Sequence, residues 1–181
     1  GTNGNGGSIT SVANNQGTSA GDFSAKGGSA SGNGGSVEPS GKSVHVDDGI
    51  KINTLASNGL TGSWTLDPDT LTIDSSGSGL ISGGVNDENE TISAGAVVTA
   101  LNSTNVRLQA DTTINVNSAI DASGNSVAHN LTLGDQDSGG LTINLNAPIT
   151  LKTGGVLSGQ GTIVNIGSFG GTTGLIQNGV D

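Results

Sequence analysis

Two aspartates flank a proline at Asp67-Pro68-Asp69. Paired carboxylates are what a glycoside hydrolase uses, one as acid and one as base or nucleophile. Asp135 and Asp137, in the stretch GDQDSGG at 134–140, have the spacing that opens a calcium loop. Five cations, Lys26, Lys42, Lys51, Arg107 and Lys152, are the available bases for a polysaccharide lyase. Two histidines, His45 and His129, and three Asn-x-Thr sequons, at Asn89, Asn102 and Asn130, complete the chemically capable set.

Each of these has a plainer structural reading. An Asp beside a proline, just before an alternating strand, caps a turn through its side chain. The Asp135 loop lacks the later bidentate Glu of an EF-hand, because Leu141 begins a strand, so a glycine-rich turn is favoured there. None of the cations lies in a local cluster with acids at catalytic spacing. The acidic run NDENE at 86–90 reads as an exposed, solvated loop. The histidines are too few and too far apart for a metal motif. His45 alternates with Val44 and Val46 and is therefore expected to face solvent. The sequons at Asn89, Asn102 and Asn130 are glycosylation candidates in an exported chain, although an Asn- and Thr-rich sequence generates sequons by chance. On this reading the chain has no catalytic residue, cofactor or metal site. A structural or interaction protein is favoured over an enzyme acting on polysaccharide or a separate glycan-binding module.

The composition narrows the partners. Five basic residues against fifteen acidic ones give a net charge of −10, which repels nucleic acid and anionic membranes. Cysteine is absent, so no disulfide framework or thiolate site exists. No apolar run approaches the roughly 20 residues of a membrane span. The polar start carries no signal peptide, so a secreted parent would contribute this stretch as a mature or internal fragment.

Short strands must position all of these groups. GNGGSI at 4–9 returns as GNGGSV at 32–37, and TINVNSAI at 113–120 returns as TINLNAPI at 142–149. Between and around them, apolar pairs alternate with Asn, Thr or Ser: Val44 and Val46, Ile50 and Ile52, Leu71 and Ile73, Val106 and Leu108, Leu131 and Leu133, Ile149 and Leu151. A loose repeat just under thirty residues long, with scarce hairpin signals, favours a right-handed parallel β-helix over an antiparallel sandwich. Coils of about 25–29 residues rising about 4.8 Å would give six or seven turns and a rod about 30 Å long. Residues 1–43 read as Gly-rich coils or a partly flexible segment, and 44–181 as the β-helix proper with an inserted helix and loop at 86–104. The helix is expected near 94–102, since Ala94, Val97, Val98 and Leu101 share one face and Ser93 can cap it. Outward Asn and Thr rows suit weak glycan contact. The irregular sequence spacing of the threonines argues against an ice-binding array.

Several segments resemble the passenger repeats of the filamentous haemagglutinin family of two-partner secretion exoproteins. The matching residues are Gly34, Gly35, Val37, Glu38, Ser40, Gly41 and Lys42, then Gly62, Trp64, Leu66, Asp67, Pro68, Leu71, Thr72 and Ile73. The stretch TISAGAVVTALNSTNVRLQADTTINVNSAI at 91–120 is similar to the segment that usually follows. Pro39 departs from the pattern, because it cannot donate to a strand ladder. The amino-terminal secretion domain of such exoproteins is not recognisable. The resemblance implies a right-handed β-helix at the surface of a Gram-negative bacterium, exported through an outer-membrane partner. As a family tendency it implies adhesion to cell-surface glycans or proteins. Strand edges at the ends of such a fragment imply either a longer parent chain or end-to-end stacking.

The only tryptophan belongs to this frame. In GSWTLDPDTLTI at 62–73, Trp64 shares parity with Leu66, so both are expected inward with Leu71 and Ile73, and Asp67-Pro68 is expected to form the corner. The indole N–H is expected to bond a backbone carbonyl.

Overall fold

The computed structural model describes residues 1–77, 89–134, 140–160 and 163–166. The described residues form parallel β-sheets with one short helix. The elements in chain order are β1 (Ser8–Ser19), β2 (Asp22–Ser24), β3 (Ser36–Val46), β4 (Lys51–Asn53), β5 (Ser63–Leu66), β6 (Thr70–Asp74) and β7 (Asn89–Ser93). Then follow α1 (Ala94–Ala100), β8 (Asn105–Leu108), β9 (Thr113–Val116), β10 (Ile120–Asp121), β11 (Leu131–Gly134), β12 (Thr142–Leu145), β13 (Ile149–Thr150), β14 (Leu157–Gln160) and β15 (Ile163–Ile166).

The six-stranded sheet runs β1-β3-β5-β8-β11-β14 and the five-stranded sheet β15-β12-β9-β6-β7, with β10-β13 and β2-β4 as two-stranded sheets. From β8 to β15 the chain visits the six-stranded, five-stranded and β10-β13 sheets in rotation. Every strand pair is parallel. Such a sheet needs a crossover between neighbours, and here the other sheets serve as the crossover.

Register explains the sequence repeats. Residues 28 apart pair between β1 and β3, as at Ser8 and Ser36, whose hydroxyls bond at 3.0 Å. Between β9 and β12, Asn144 Nδ2 donates to Asn115 Oδ1 at 2.8 Å across 29 residues. Just beyond the strand ends Asn146 does the same to Asn117 at 3.0 Å. Inward positions form continuous rows. One contains Ile9, Val37, Trp64, Val106, Leu131 and Leu157. Another begins Leu71, Ile114 and Ile143, and the row beside it Ile73, Val116 and Leu145. Nearly all of these side chains are buried, and they form one apolar core.

Each residue of the GNGGS repeat has a structural duty. Gly4 and Gly32 hold φ near 115° and 114°, in the left-handed region where a side chain is strained. Asn5 Oδ1 accepts the Asn33 N–H at 2.9 Å, and Asn33 Oδ1 in turn accepts the Leu60 N–H at 2.9 Å. The last glycine of each copy packs backbone on backbone. A Cβ on Gly35 would collide with the Gly7 carbonyl oxygen, and one on Gly62 with the Gly35 carbonyl oxygen. The Gly-rich segment thus forms β1, β2 and most of β3, and β3 runs without a break through residues 43 and 44.

The helix is shorter than its sequence pattern. It spans Ala94–Ala100, and Ser93 Oγ caps it by accepting the Ala96 N–H at 3.0 Å. Its buried face is Ala94, Ala96, Val97 and Ala100, with Leu101 buried just beyond, while Val98 is only half-buried. The turn that follows is pinned to β4 and the residue after it: Ser103 Oγ donates to Ile52 O at 2.5 Å, and the Thr54 and Thr104 hydroxyls bond at 2.7 Å.

Gly62→Ala should destabilise the chain by far more than the roughly 1 kcal/mol of an ordinary glycine position, because a backbone carbonyl has nowhere to move. Urea denaturation followed by Trp64 fluorescence measures this. An unchanged midpoint would show that the strands are not stacked this closely.

Candidate functional site

The Gly62–Ile73 corner is built from two strands in different sheets. β5 ends at Leu66 in the six-stranded sheet and β6 begins at Thr70 in the five-stranded sheet, so Asp67-Pro68-Asp69 makes the turn between them. The next level of the stack holds this corner through its backbone: Gln109, Asp111 and Thr112 N–H groups donate to the Leu66, Pro68 and Asp69 carbonyls at 2.8, 3.2 and 2.9 Å. Asp67 is exposed and Asp69 half-buried. The corner is clamped by neighbouring backbone. Leu66, Leu71 and Ile73 are buried.

Trp64 is fully buried, flanked in its row by Val37 and Val106. The two valines are small neighbours that leave space for the indole. The expected hydrogen bond to a carbonyl is not made. Trp64 Nε1 has no partner among the described residues, and the hollow that Trp64 lines with Ile9, Phe23, Val37 and Ile50 is too narrow for a water molecule. The packing of the ring was evidently worth more than the bond to its N–H.

The histidines are also placed differently from the alternation pattern. His45 is buried, and its Nδ1 lies 3.6 Å from Glu90 Oε1. Glu90 belongs to β7, not to an exposed loop, and occupies an inward position opposite Leu71. Its carboxylate also accepts the Val46 N–H at 3.0 Å, which satisfies a strand amide beside the edge of the five-stranded sheet. His129 is buried as well. Its Nδ1 lies 2.9 Å from Leu101 O, and since a carbonyl only accepts, that nitrogen carries the proton. Its Nε2 has no partner among the described residues.

The remaining candidates do not converge. Among the described residues no three His, Cys, Asp or Glu side chains approach one another closely enough to hold a metal. Lys51 reaches Asp22 at 4.0 Å, both exposed, and Arg107 points outward from β8. Asp135, Asp137 and most of the NDENE run lie outside the described residues. Asn89, Asn102 and Asn130 are exposed, but two of their carboxamide oxygens have structural work: Asn102 Oδ1 accepts the Ser126 N–H at 2.9 Å and Asn130 Oδ1 the Val156 N–H at 3.0 Å.

What the structure does assemble is a surface. On the outward face of the five-stranded sheet, Thr70, Thr113 and Thr142 stand in register, with Asn89 beside Thr70. The neighbouring row is Thr91, Thr72, Asn115 and Asn144. The threonines that look irregular along the chain line up because β7 and α1 are inserted between β6 and β9. The face carries hydroxyls and carboxamides at strand spacing, chemistry that can exchange hydrogen bonds with sugars or with another polar backbone. No protein-family model matches the chain, and no similar curated protein or solved structure was found.

Two expected outcomes follow. Trp64→Ala should cost about 3–5 kcal/mol of unfolding free energy, whereas Trp64→Phe, which removes an unsatisfied donor with part of the ring, should cost much less. Equal losses in chemical denaturation would mean that the indole N–H has a partner.

The second concerns pH. Asp74 is held below the usual carboxylate value of 3.8, first by the Ser75 N–H and then by the Ser118 hydroxyl. Asp121 is lowered likewise, by the Ser123 hydroxyl and then its N–H. Groups depressed by folding contribute stability above the unfolded value and lose it as pH falls through the folded one. Stability should therefore drop below about pH 4. Asp121→Asn should flatten that drop, and a pH series of urea midpoints with the same slope in both chains would refute the assignment.

Proposed function

We propose that this chain is a stretch of right-handed parallel β-helix from a secreted exoprotein on the surface of a Gram-negative bacterium. It serves there as an adhesive stalk or extracellular fibre unit, with no enzymatic activity of its own. The observation that carries this reading is the register. Strand after strand returns to the same sheet in parallel, with apolar residue over apolar residue and Asn over Asn. Such an arrangement extends a surface away from its anchor while each level contacts only its neighbours. The resemblance of Gly34–Lys42 and Gly62–Ile73 to filamentous haemagglutinin repeats supports the same reading, and with it export through an outer-membrane partner as part of a longer parent chain. The net charge of −10 makes nucleic acid an unsuitable partner. The Thr and Asn rows of the five-stranded sheet are the surface best suited to contact glycans or proteins on other cells.

Beads coated with the chain should be retained on cultured cells or on a glycan array. Thr72→Lys with Asn144→Lys, which places two long cations on the polar face, should reduce retention about tenfold, or 1.4 kcal/mol. Oligosaccharide released from a polysaccharide by the chain, and abolished by Asp67→Asn with Asp69→Asn, would replace this reading with an enzymatic one.

A further inference from the structure

The outward face of the five-stranded sheet is ordered in two directions. β7, β6, β9 and β12 each place one residue in the row Asn89, Thr70, Thr113 and Thr142, and one in the row Thr91, Thr72, Asn115 and Asn144. No register shift interrupts these pairings, whereas β1 on β3 has one between Ala13 and Gln16. Successive levels lie about 4.8 Å apart and the two rows about 6.6 Å apart. The second row is stiffened from within, since Asn144 Nδ2 donates to Asn115 Oδ1 at 2.8 Å. Among the described residues, no side-chain hydrogen bond engages the hydroxyls of Thr72, Thr113 or Thr142.

Charge narrows what can lie on this face. Neither row contains a charged side chain. Carboxylates border it instead: Asp69 precedes β6, Asp74 ends it, and Asp111 lies two residues before β9. The six-stranded sheet, by contrast, carries exposed Glu38 and Arg107 on its outward side. A neutral partner suits the two rows, and a polyanion is repelled by their border. The rows also contain no aromatic ring, so a single sugar finds nothing to stack on. Hydrogen bonds to its hydroxyls each contribute only modestly in water. An occupant must therefore engage several levels at once, and its repeat must match the stack.

We propose that these rows bind a neutral β-1,4-linked polysaccharide chain lying across the strands, along the stack. With equatorial linkages such a chain is a straight ribbon, and its sugar repeat is close to the strand spacing of about 4.8 Å. Its two edges carry hydroxyls, so one row lies beneath each edge and each sugar meets one level. An α-linked chain of the same sugars curves and falls out of step. The proposal rests on the reading of this face as a glycan surface, and its test is separable from adhesion.

Isothermal titration of the 181-residue chain with cello-oligosaccharides of two to five glucose units should show the dissociation constant falling at least about tenfold along the series. Maltopentaose, the same sugars α-linked, and a β-1,4-linked mannuronate pentamer, an acidic counterpart, should each bind at least about tenfold more weakly than cellopentaose. Thr113→Val keeps a β-branched side chain in the strand and removes one hydroxyl from the middle of its row. It should weaken cellopentaose binding about fivefold. Thr132→Val, on the outward side of β11 in the other sheet, should change nothing. Should Thr113→Val fail to fold, Thr142→Val takes its place, and the length series needs no variant. Affinity independent of length, equal binding of maltopentaose, no binding of any oligosaccharide, or full affinity in Thr113→Val would each overturn the proposal. So would a dimer in sedimentation velocity that Thr113→Val abolishes, which would assign the face to a second copy. Beads retained on cells by a chain that binds no cellopentaose would refute this inference and leave adhesion standing; the converse would uphold it and refute adhesion.

Discussion

Parallel, in-register pairing is the constraint on which the rest of the structure depends. When a strand lies directly on its equivalent, each side chain meets the side chain at the same position one level away. Chemistry that tolerates self-contact is then repeated and chemistry that does not is excluded. Asn over Asn donates and accepts with the same group, as Asn144 does to Asn115. Ser over Ser does likewise at Ser36 and Ser8. Stacked carboxylates would repel, and Asp74 and Asp121, at the last positions of β6 and β10, take serine donors instead.

The same constraint explains the large glycine content. Where the chain turns into the six-stranded sheet, the backbone of one level touches the backbone of the next at Gly7, Gly35 and Gly62. No Cβ fits at Gly35 or Gly62, so glycine is required there for space, separately from its role in left-handed turns at Gly4 and Gly32. The core faces the opposite problem. It is filled by one side chain per level in each row, so a large residue must be offset by small ones above and below. Trp64 between Val37 and Val106 is that compensation, and its unpaired N–H is the polar cost of filling the space with an indole.

Much of this was legible in the chain because repeat and register are the same quantity. The 28-residue return of GNGGS is the β1–β3 offset, and alternation correctly placed Trp64, Leu66, Leu71 and Ile73 inward. Ser93 announced the helix start. Alternation read from Val44 and Val46 failed at His45 because His45 continues the inward parity of Val37 and Pro39 along β3, while the neighbouring Val46 is buried as well at the strand end. Glu90 was hidden for a different reason. An acid at an inward position violates the apolar pattern, and only the arrival of β7 beside Val46 and His45 gives its carboxylate donors. The threonine row was invisible because an insertion between β6 and β9 breaks the spacing in sequence while leaving it intact in space.

That insertion also shows how such a chain accommodates novelty. β7 adds a strand to the free edge of β6, and α1 then covers neighbouring strands with an alanine-rich face narrow enough to sit close. Afterwards β8 resumes the six-stranded sheet on β5 with Ser63 opposite Asn105 and Trp64 opposite Val106, so the apolar row continues without a step. An inserted segment is tolerated when it satisfies its own polar groups and returns the chain in register. Ser93 at the helix start, Glu90 on the Val46 amide, and the Thr54–Thr104 hydroxyl pair at the return all serve the first condition. The backbone bond from Asn105 N–H to Gly62 O, at 3.2 Å, meets the second. The polar face of the five-stranded sheet therefore runs on past the insertion from β6 to β9.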